Sequence, residues 1–168
     1  DLYSAGWLAT VPGGHGTQFG LPVPTLTRPA EAAAWVDARL ADGSDFVKIV
    51  YEPRDANGLG PPVPSLDRAT LSALVAATHA RGRLAVVHVS RLVPAREAIE
   101  AGADGLVHVH SDRVADEAFV RLARERGTFV TPTLAVIAGF DPRRARGELR
   151  ENERLAADPA IRPFLTPA

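Results

Sequence analysis

Asp45-Phe-Val-Lys-Ile-Val-Tyr51, Arg83-Leu-Ala-Val-Val-His-Val89, Gly105-Leu-Val-His-Val109 and Gly127-Thr-Phe-Val-Thr-Pro-Thr133 are short runs rich in β-branched residues and bounded by turn formers. Such runs read as strands. The stretches between and around them read as amphipathic helices, at about residues 29–42, 67–81, 93–101, 114–126 and 142–157. Asp67 stands where an N-cap belongs, and Gly43, Gly82, Gly102 and Gly127 stand where helices end. Upstream, Gly6-Trp-Leu-Ala-Thr-Val11 reads as one more strand, running into the glycine-rich Pro12-Gly-Gly-His-Gly16. Strand and helix alternate strictly, five of each.

Alternating apolar strands and helices specify a parallel sheet covered by helices, either doubly wound or closed into a (β/α)8 TIM barrel. The G-x-G-x-x-G turn of a doubly wound nucleotide binder is missing from the first strand-to-helix junction. A barrel takes about 250 residues. The 168 residues with five strands therefore predict an α/β chain that is part of a barrel. It opens at Asp1, without an initiator Met and almost directly in a strand, which adds to the expectation of a piece of a longer domain. Two irregular stretches, 17–27 and 52–64, both follow strands, so they are expected over the C-terminal face as pocket walls.

At 46% hydrophobic and 23% charged residues, the chain can bury one core. A net charge of -1 leaves no basic surplus for phosphates, so nucleic acid is not an expected partner. No run reaches the roughly 18 apolar residues of a membrane span, so no membrane partner is expected either. The lack of cysteine leaves the compartment open, with the cytoplasm preferred. Apolar sheet edges predict association, including a homo-oligomer. Lys48 is the single lysine among 19 basic residues. Where Arg has replaced Lys everywhere else, a surviving Lys is a candidate for chemistry.

Lys48 sits in the middle of an apolar strand, where burial lowers an amine's pKa. A neutral amine can form a Schiff base, act as a base, or add carbon dioxide to become a two-oxygen carbamate ligand. His88 and His108 occupy the corresponding places on the next two strands. Neighbouring strands lie about 4.8 Å apart, so the three side chains can converge on one inward point. Imidazole nitrogens with an oxygen donor suit Zn²⁺ or a similar divalent ion.

These residues resemble the amidohydrolase superfamily: Asp45-Phe-Val-Lys48, Val86-Val-His88, and above all Ala101-Gly-Ala-Asp-Gly-Leu-Val-His108. Pro12-Gly-Gly-His-Gly16 and Thr131-Pro-Thr-Leu134 are similar to strand ends of its branch containing imidazolonepropionases and Xaa-Pro dipeptidases. The resemblance spans residues 6–134 and implies a barrel portion of about strands 3 to 7, lacking its N- and C-terminal strands, over the whole of 1–168. It further implies a carbamylated Lys48 able to bridge two divalent ions, with one or two ions expected and zinc the expected metal, His88 and His108 as ligands, and a metal-activated water attacking an amide, cyclic amide or dipeptide bond. The family's first-strand His-x-His pair and its eighth-strand Asp have no counterpart here, so the catalytic proton carrier stays unassigned.

His15, in the glycine-rich strand end, is expected to face the same pocket and meet a small-molecule or dipeptide-like substrate. Tyr51, just past Lys48, is expected to do so as well, as are Arg54 and Arg91 toward a substrate carboxylate. His110 shares the parity of His108, which predicts an inward direction nearer the mouth; His110-Ser-Asp112 equally fits a cap for the next helix. His79 precedes Gly82 at a helix C-terminus and is expected to be structural. Two other readings compete: a barrel aldolase or lyase using Lys48 as a Schiff-base nucleophile with His88 as acid or base, and a barrel piece without catalysis of its own.

Overall fold

The computed structural model describes residues 2–52, 63–134, 150 and 153–164. The chain divides into two units, 1–132 and 133–168. The first holds the sheet. Its strands are β1 (Val47–Val50), β2 (Ala85–His88), β3 (Gly105–Val107) and β4 (Phe129–Thr131), all parallel and in the order β1-β2-β3-β4. Helices α1 (Ala32–Ala41), α2 (Arg68–His79), α3 (Leu92–Glu100) and α4 (Glu117–Arg126) connect or flank them. Consecutive parallel strands in one sheet, each reached through a helix, are the repeating unit of the barrel expected from the sequence.

The expected first strand is reduced to two bridging residues. Ala9 pairs with Ile49, donating its N–H to the Lys48 carbonyl at 2.8 Å, and the Val50 N–H returns to the Ala9 carbonyl at 2.9 Å. Thr10 pairs onward with Thr25. The run thus extends the sheet beside β1 as a short contact, because its Gly13-Gly14 turn follows at once. Of the irregular stretch 17–27, Thr17–Phe19 forms a 3-10 turn; most of 52–64, Arg54 included, lies outside the described residues, as does most of the expected helix 142–157. In the second unit, a turn at Asp158 leads to a 3-10 helix at Arg162–Phe164.

Side chains alternate across the sheet with a period of two. Val47, Ile49, Tyr51, Ala85, Val87, Val89 and Leu106 share one cluster with Leu71, Leu74 and Val75 of α2 and Ala95, Ala98 and Ile99 of α3. That is the helix-covered face. Lys48, Val50, Val86 and His88 have the opposite parity, and the register pairs Lys48 with Val86 and Val50 with His88. They therefore share the other face, which in a barrel is the interior. Gly105 lies on that face too, and any Cβ there would collide with the Phe129 ring. Glycine is what lets Phe129 cross over β3.

The helix ends follow their sequence signals. Asp67 accepts the Thr70 N–H at 2.7 Å as the α2 N-cap, and Gly102, with φ 98°, turns the chain out of α3. Helix α4 starts at Glu117, three residues later than expected, because Asp116 takes the N-cap and accepts the Phe119 N–H at 2.8 Å. Among the described residues no helix is long and apolar enough to cross a membrane. The outermost strand β4 is exposed along its length, Phe129 at 44% and Val130 at 45%. Because the α2 cap satisfies a backbone donor, Asp67→Ala should lower the unfolding free energy by about 1 kcal/mol, seen as a lower urea midpoint at an unchanged denaturant slope. An unchanged midpoint would show that α2 is held by its packing alone.

Candidate active site at the strand ends

Lys48 is half-buried in the middle of β1, and desolvation lowers its pKa below the ordinary lysine value. Its ammonium loses hydration that the apolar strand does not replace, so the neutral amine gains population. His88 ends β2 on the same face, 5% exposed, and its Nε2 is buried without a hydrogen-bond partner among the described residues. Burial first, then the positive charges of His15, His108 and Lys48, depress its pKa to about 3. At neutral pH this imidazole is uncharged and offers a lone pair.

His108 reaches the same place by a different route. Val107 is the residue of β3 paired with His88, so simple alternation sends His108 to the helix face along with Leu106. Its backbone instead adopts φ 71°, in the left-handed region. A non-glycine residue there is uncommon and costs on the order of 1–3 kcal/mol. The kink re-aims the ring, whose centroid lies 4.6 Å from that of His88 at a near-perpendicular 84°. The strand ladder survives it, since the His108 N–H still donates to the Thr131 carbonyl at 2.9 Å.

His15 completes a row of three imidazoles, its ring 4.7 Å from His88 and nearly stacked at 29°. The loop that places it depends on glycine: Gly16 has φ 103°, and a Cβ at Gly14 would press on the Thr10 hydroxyl and on the Pro64 carbonyl at 3.0 Å. Gln18 Nε2 lies 3.2 Å from His15 Nδ1 and orients the ring. Desolvation and then the Lys48 charge lower the His15 pKa, and the same two causes lower that of His108. Four basic groups thus crowd one face and suppress one another's protonation. Such a set holds lone pairs ready for a Lewis acid or a proton donor.

Tyr51 and His110 lie elsewhere. Tyr51 belongs to the helix-side cluster, and its hydroxyl donates to Glu97 Oε2 of α3 at 2.6 Å; three residues separate it from Lys48, an odd number that reverses its face. His110 packs edge-on against Phe119 of α4 at 5.1 Å, because the His108 kink does not extend to it. Tyr51 thus meets α3 and His110 meets α4. Arg91 and Tyr51 line a separate cavity of about 530 Å³ on the helix side, with Glu97 and Asp112. His79 bonds Asp104 at 2.8 Å, a structural tie between α2 and the start of β3.

Glu52 was not anticipated. It is 0% exposed, and among the described residues it is the one fully buried acid. Its Oε2 accepts the Ser90 N–H at 2.6 Å while its Oε1 is buried without a partner. Desolvation pushes its pKa up to about 7 against the pull of Ser90 and Arg91. The available signal was parity, since 48, 50 and 52 share one side of a strand that continues past β1.

Among the described residues no three His, Cys, Asp or Glu side chains cluster as a metal site. The donors gathered there are the imidazoles of His15, His88 and His108 and the Lys48 nitrogen. The orphaned His88 Nε2 fits an electron-pair acceptor, and a carbamate on Lys48 would add the oxygen donors the set lacks.

No protein-family model matches the chain, and no curated protein sequence matches it significantly. Solved structures do resemble it. A Xaa-Pro dipeptidase with methionine bound in its active site is 26% identical, with a TM-score of 0.64 over 82% of this chain and 36% of its own. The ochratoxinase of A. niger is 21% identical, with a TM-score of 0.71 over 83% and 37%. An amidohydrolase is 21% identical, with a TM-score of 0.62 over 84% and 37%. The chain spans little more than a third of the length of these proteins. The chain shares the fold of these hydrolases, as a partial TIM barrel.

The two strongly shifted groups make opposite contributions to stability. Glu52 titrates at about 7 in the fold and 4.5 when unperturbed, so its contribution falls as pH rises through that window and the loss persists above it. His88 titrates at about 3 against 6.5, so below 6.5 the unfolded chain takes up the proton first and stability falls toward acid. Glu52→Gln should remove the first effect. In urea unfolding it should gain on the wild type by about 1–3 kcal/mol more at about pH 8 than at about pH 5. An offset independent of pH would contradict a buried, proton-holding Glu52.

Proposed function

We propose that residues 1–168 are the central portion of a metal-dependent hydrolase barrel that cleaves amide or peptide-like C–N bonds in small or dipeptide-like substrates. The supporting observation is the buried, unpartnered Nε2 of His88 within a row of three imidazoles beside a desolvated lysine. In this reading Lys48, His88 and His108 hold one or two divalent ions, zinc being the natural choice for nitrogen donors with carboxylate-like oxygens. When bound, such an ion supplies Lewis-acid polarisation of the scissile carbonyl and acidifies a water.

The chain's own residues prepare that chemistry. The neutral Lys48 amine adds to carbon dioxide and releases one proton, yielding an anion with two ligand oxygens. His88, held neutral by burial, keeps its lone pair at any pH above about 3. His108 accepts backbone strain to aim at the same point. His15, in the glycine-rich loop at the end of the row with Gln18 behind it, donates to a substrate carbonyl oxygen. Glycine on either side of His15 permits close approach of substrate to the backbone. The exposed inner edge at β4 is covered, in the whole barrel, by a further strand.

Removal of metal from the full-length protein with a chelator should abolish turnover of a Xaa-Pro dipeptide, and zinc should restore it. His88→Ala and His108→Ala should each lower zinc affinity by more than the roughly 10- to 100-fold typical of losing an outer-sphere partner, with the circular dichroism spectrum unchanged. Wild-type zinc content in both variants, measured by elemental analysis after dialysis, would remove them from the ligand set.

A further inference from the structure

Beyond the imidazole row, the most unusual group is Glu52. A buried carboxyl with one oxygen unpartnered is costly, and a packed apolar side chain in its place would be cheaper. Its bonds indicate what it does. The parallel ladder between β1 and β2 ends where the Tyr51 N–H donates to the His88 carbonyl at 3.1 Å. One residue further, Glu52 Oε2 takes the Ser90 N–H at 2.6 Å, and the Ser90 side chain bonds the same carboxylate. A side chain has replaced the ladder where the two strands part. The Glu52 backbone is itself fixed, its N–H donating to Ser65 Oγ at 2.9 Å. From Ser90 the connection continues, because its carbonyl accepts the Ser111 N–H at 3.0 Å.

Ser90 lies two residues past His88, Ser111 three past His108, and Glu52 four past Lys48. The chain Glu52–Ser90–Ser111 therefore straps together the exits of the three strands that carry the candidate ligands. We infer that Glu52 is a positioning residue: through Ser90 it sets the spacing between the ends of β1, β2 and β3, and with it the mutual placement of Lys48, His88 and His108. This rests on the hydrolase reading for its catalytic consequence, but not for its structural one. Spacing matters because metal ligands tolerate displacement of only about half an ångström before affinity and rate fall.

The role belongs to the hydrogen bond and its reach, which separates three variants of the full-length chain. Glu52→Gln keeps an acceptor at the right distance. Glu52→Asp keeps the charge but is one methylene too short, and Glu52→Ala has neither. In the metal-free protein, nitrogen-15 spectra of the imidazoles should show His88 and His108 unchanged in Glu52→Gln and shifted in Glu52→Asp and Glu52→Ala. In the metal-loaded enzyme, kcat should fall about 10- to 100-fold in the latter two with KM within about threefold, and Glu52→Gln should stay within about threefold of wild type. Unchanged imidazole spectra in Glu52→Asp would overturn the inference, as would a Glu52→Gln variant as impaired as Glu52→Asp. Should Glu52→Ala fail to fold, the Asp and Gln pair decides. Should the wild type bind no metal and turn over nothing, the hydrolase reading fails, and the imidazole spectra alone still decide the role of Glu52.

Discussion

Alternation along the parallel strands sorts the residues of this chain into two chemistries. On one face Val47, Ile49, Val87 and Leu106 meet the apolar sides of α2 and α3, and burial there drives folding. On the other, Lys48 and His88 stand on adjacent strands in the register that pairs Lys48 with Val86 and Val50 with His88. The helix layer makes the sheet stable enough to hold basic side chains on its far side, where burial works against their charged forms. Moving either strand by one residue would send the basic groups into the helix layer and the valines toward the site.

The electrostatics of the inner face follow from that crowding. Lys48, His15, His88 and His108 are all held below their ordinary pKa values, each chiefly by desolvation, and the three imidazoles also by neighbouring positive charge. Protonating one raises the cost of protonating the next. The favourable way to satisfy the lone pairs of such a face is to bring an electron-pair acceptor to it. Glu52, fully buried just past β1, takes its hydrogen bond from Ser90 and acts on this face through the backbone.

Much of the architecture was legible because its signals are local. The parallel order, the N-cap at Asp67 and the positive φ at Gly43, Gly82, Gly102 and Gly127 all express short-range rules. Gly6–Val11 reads as a strand by composition, yet only Ala9 and Thr10 pair, because strand length depends on partners the local pattern does not contain. The site was legible only in part. Tyr51 and Lys48 differ in parity, and counting along β1 separates them. His108 could not be read that way: alternation sends it outward, and only its φ of 71° brings it to His88. His110, two residues on, keeps the regular direction and meets Phe119. Glu52 hid at the head of a Gly- and Pro-rich loop, where composition suggests solvent exposure and tertiary contact with Ser90 dictates the reverse.

The central proposal is that β1 presents the Lys48 amine, its pKa lowered by burial, toward the imidazoles of His88 and His108, as a lysine that is to become an anionic ligand must be. The most direct measurement is carbon-13 NMR of the full-length protein kept near neutral pH with labelled bicarbonate and zinc. One protein-bound carbamate resonance should appear, disappear in Lys48→Arg, and fade when zinc is withdrawn. Zinc bound with full occupancy and no carbamate resonance would contradict the account.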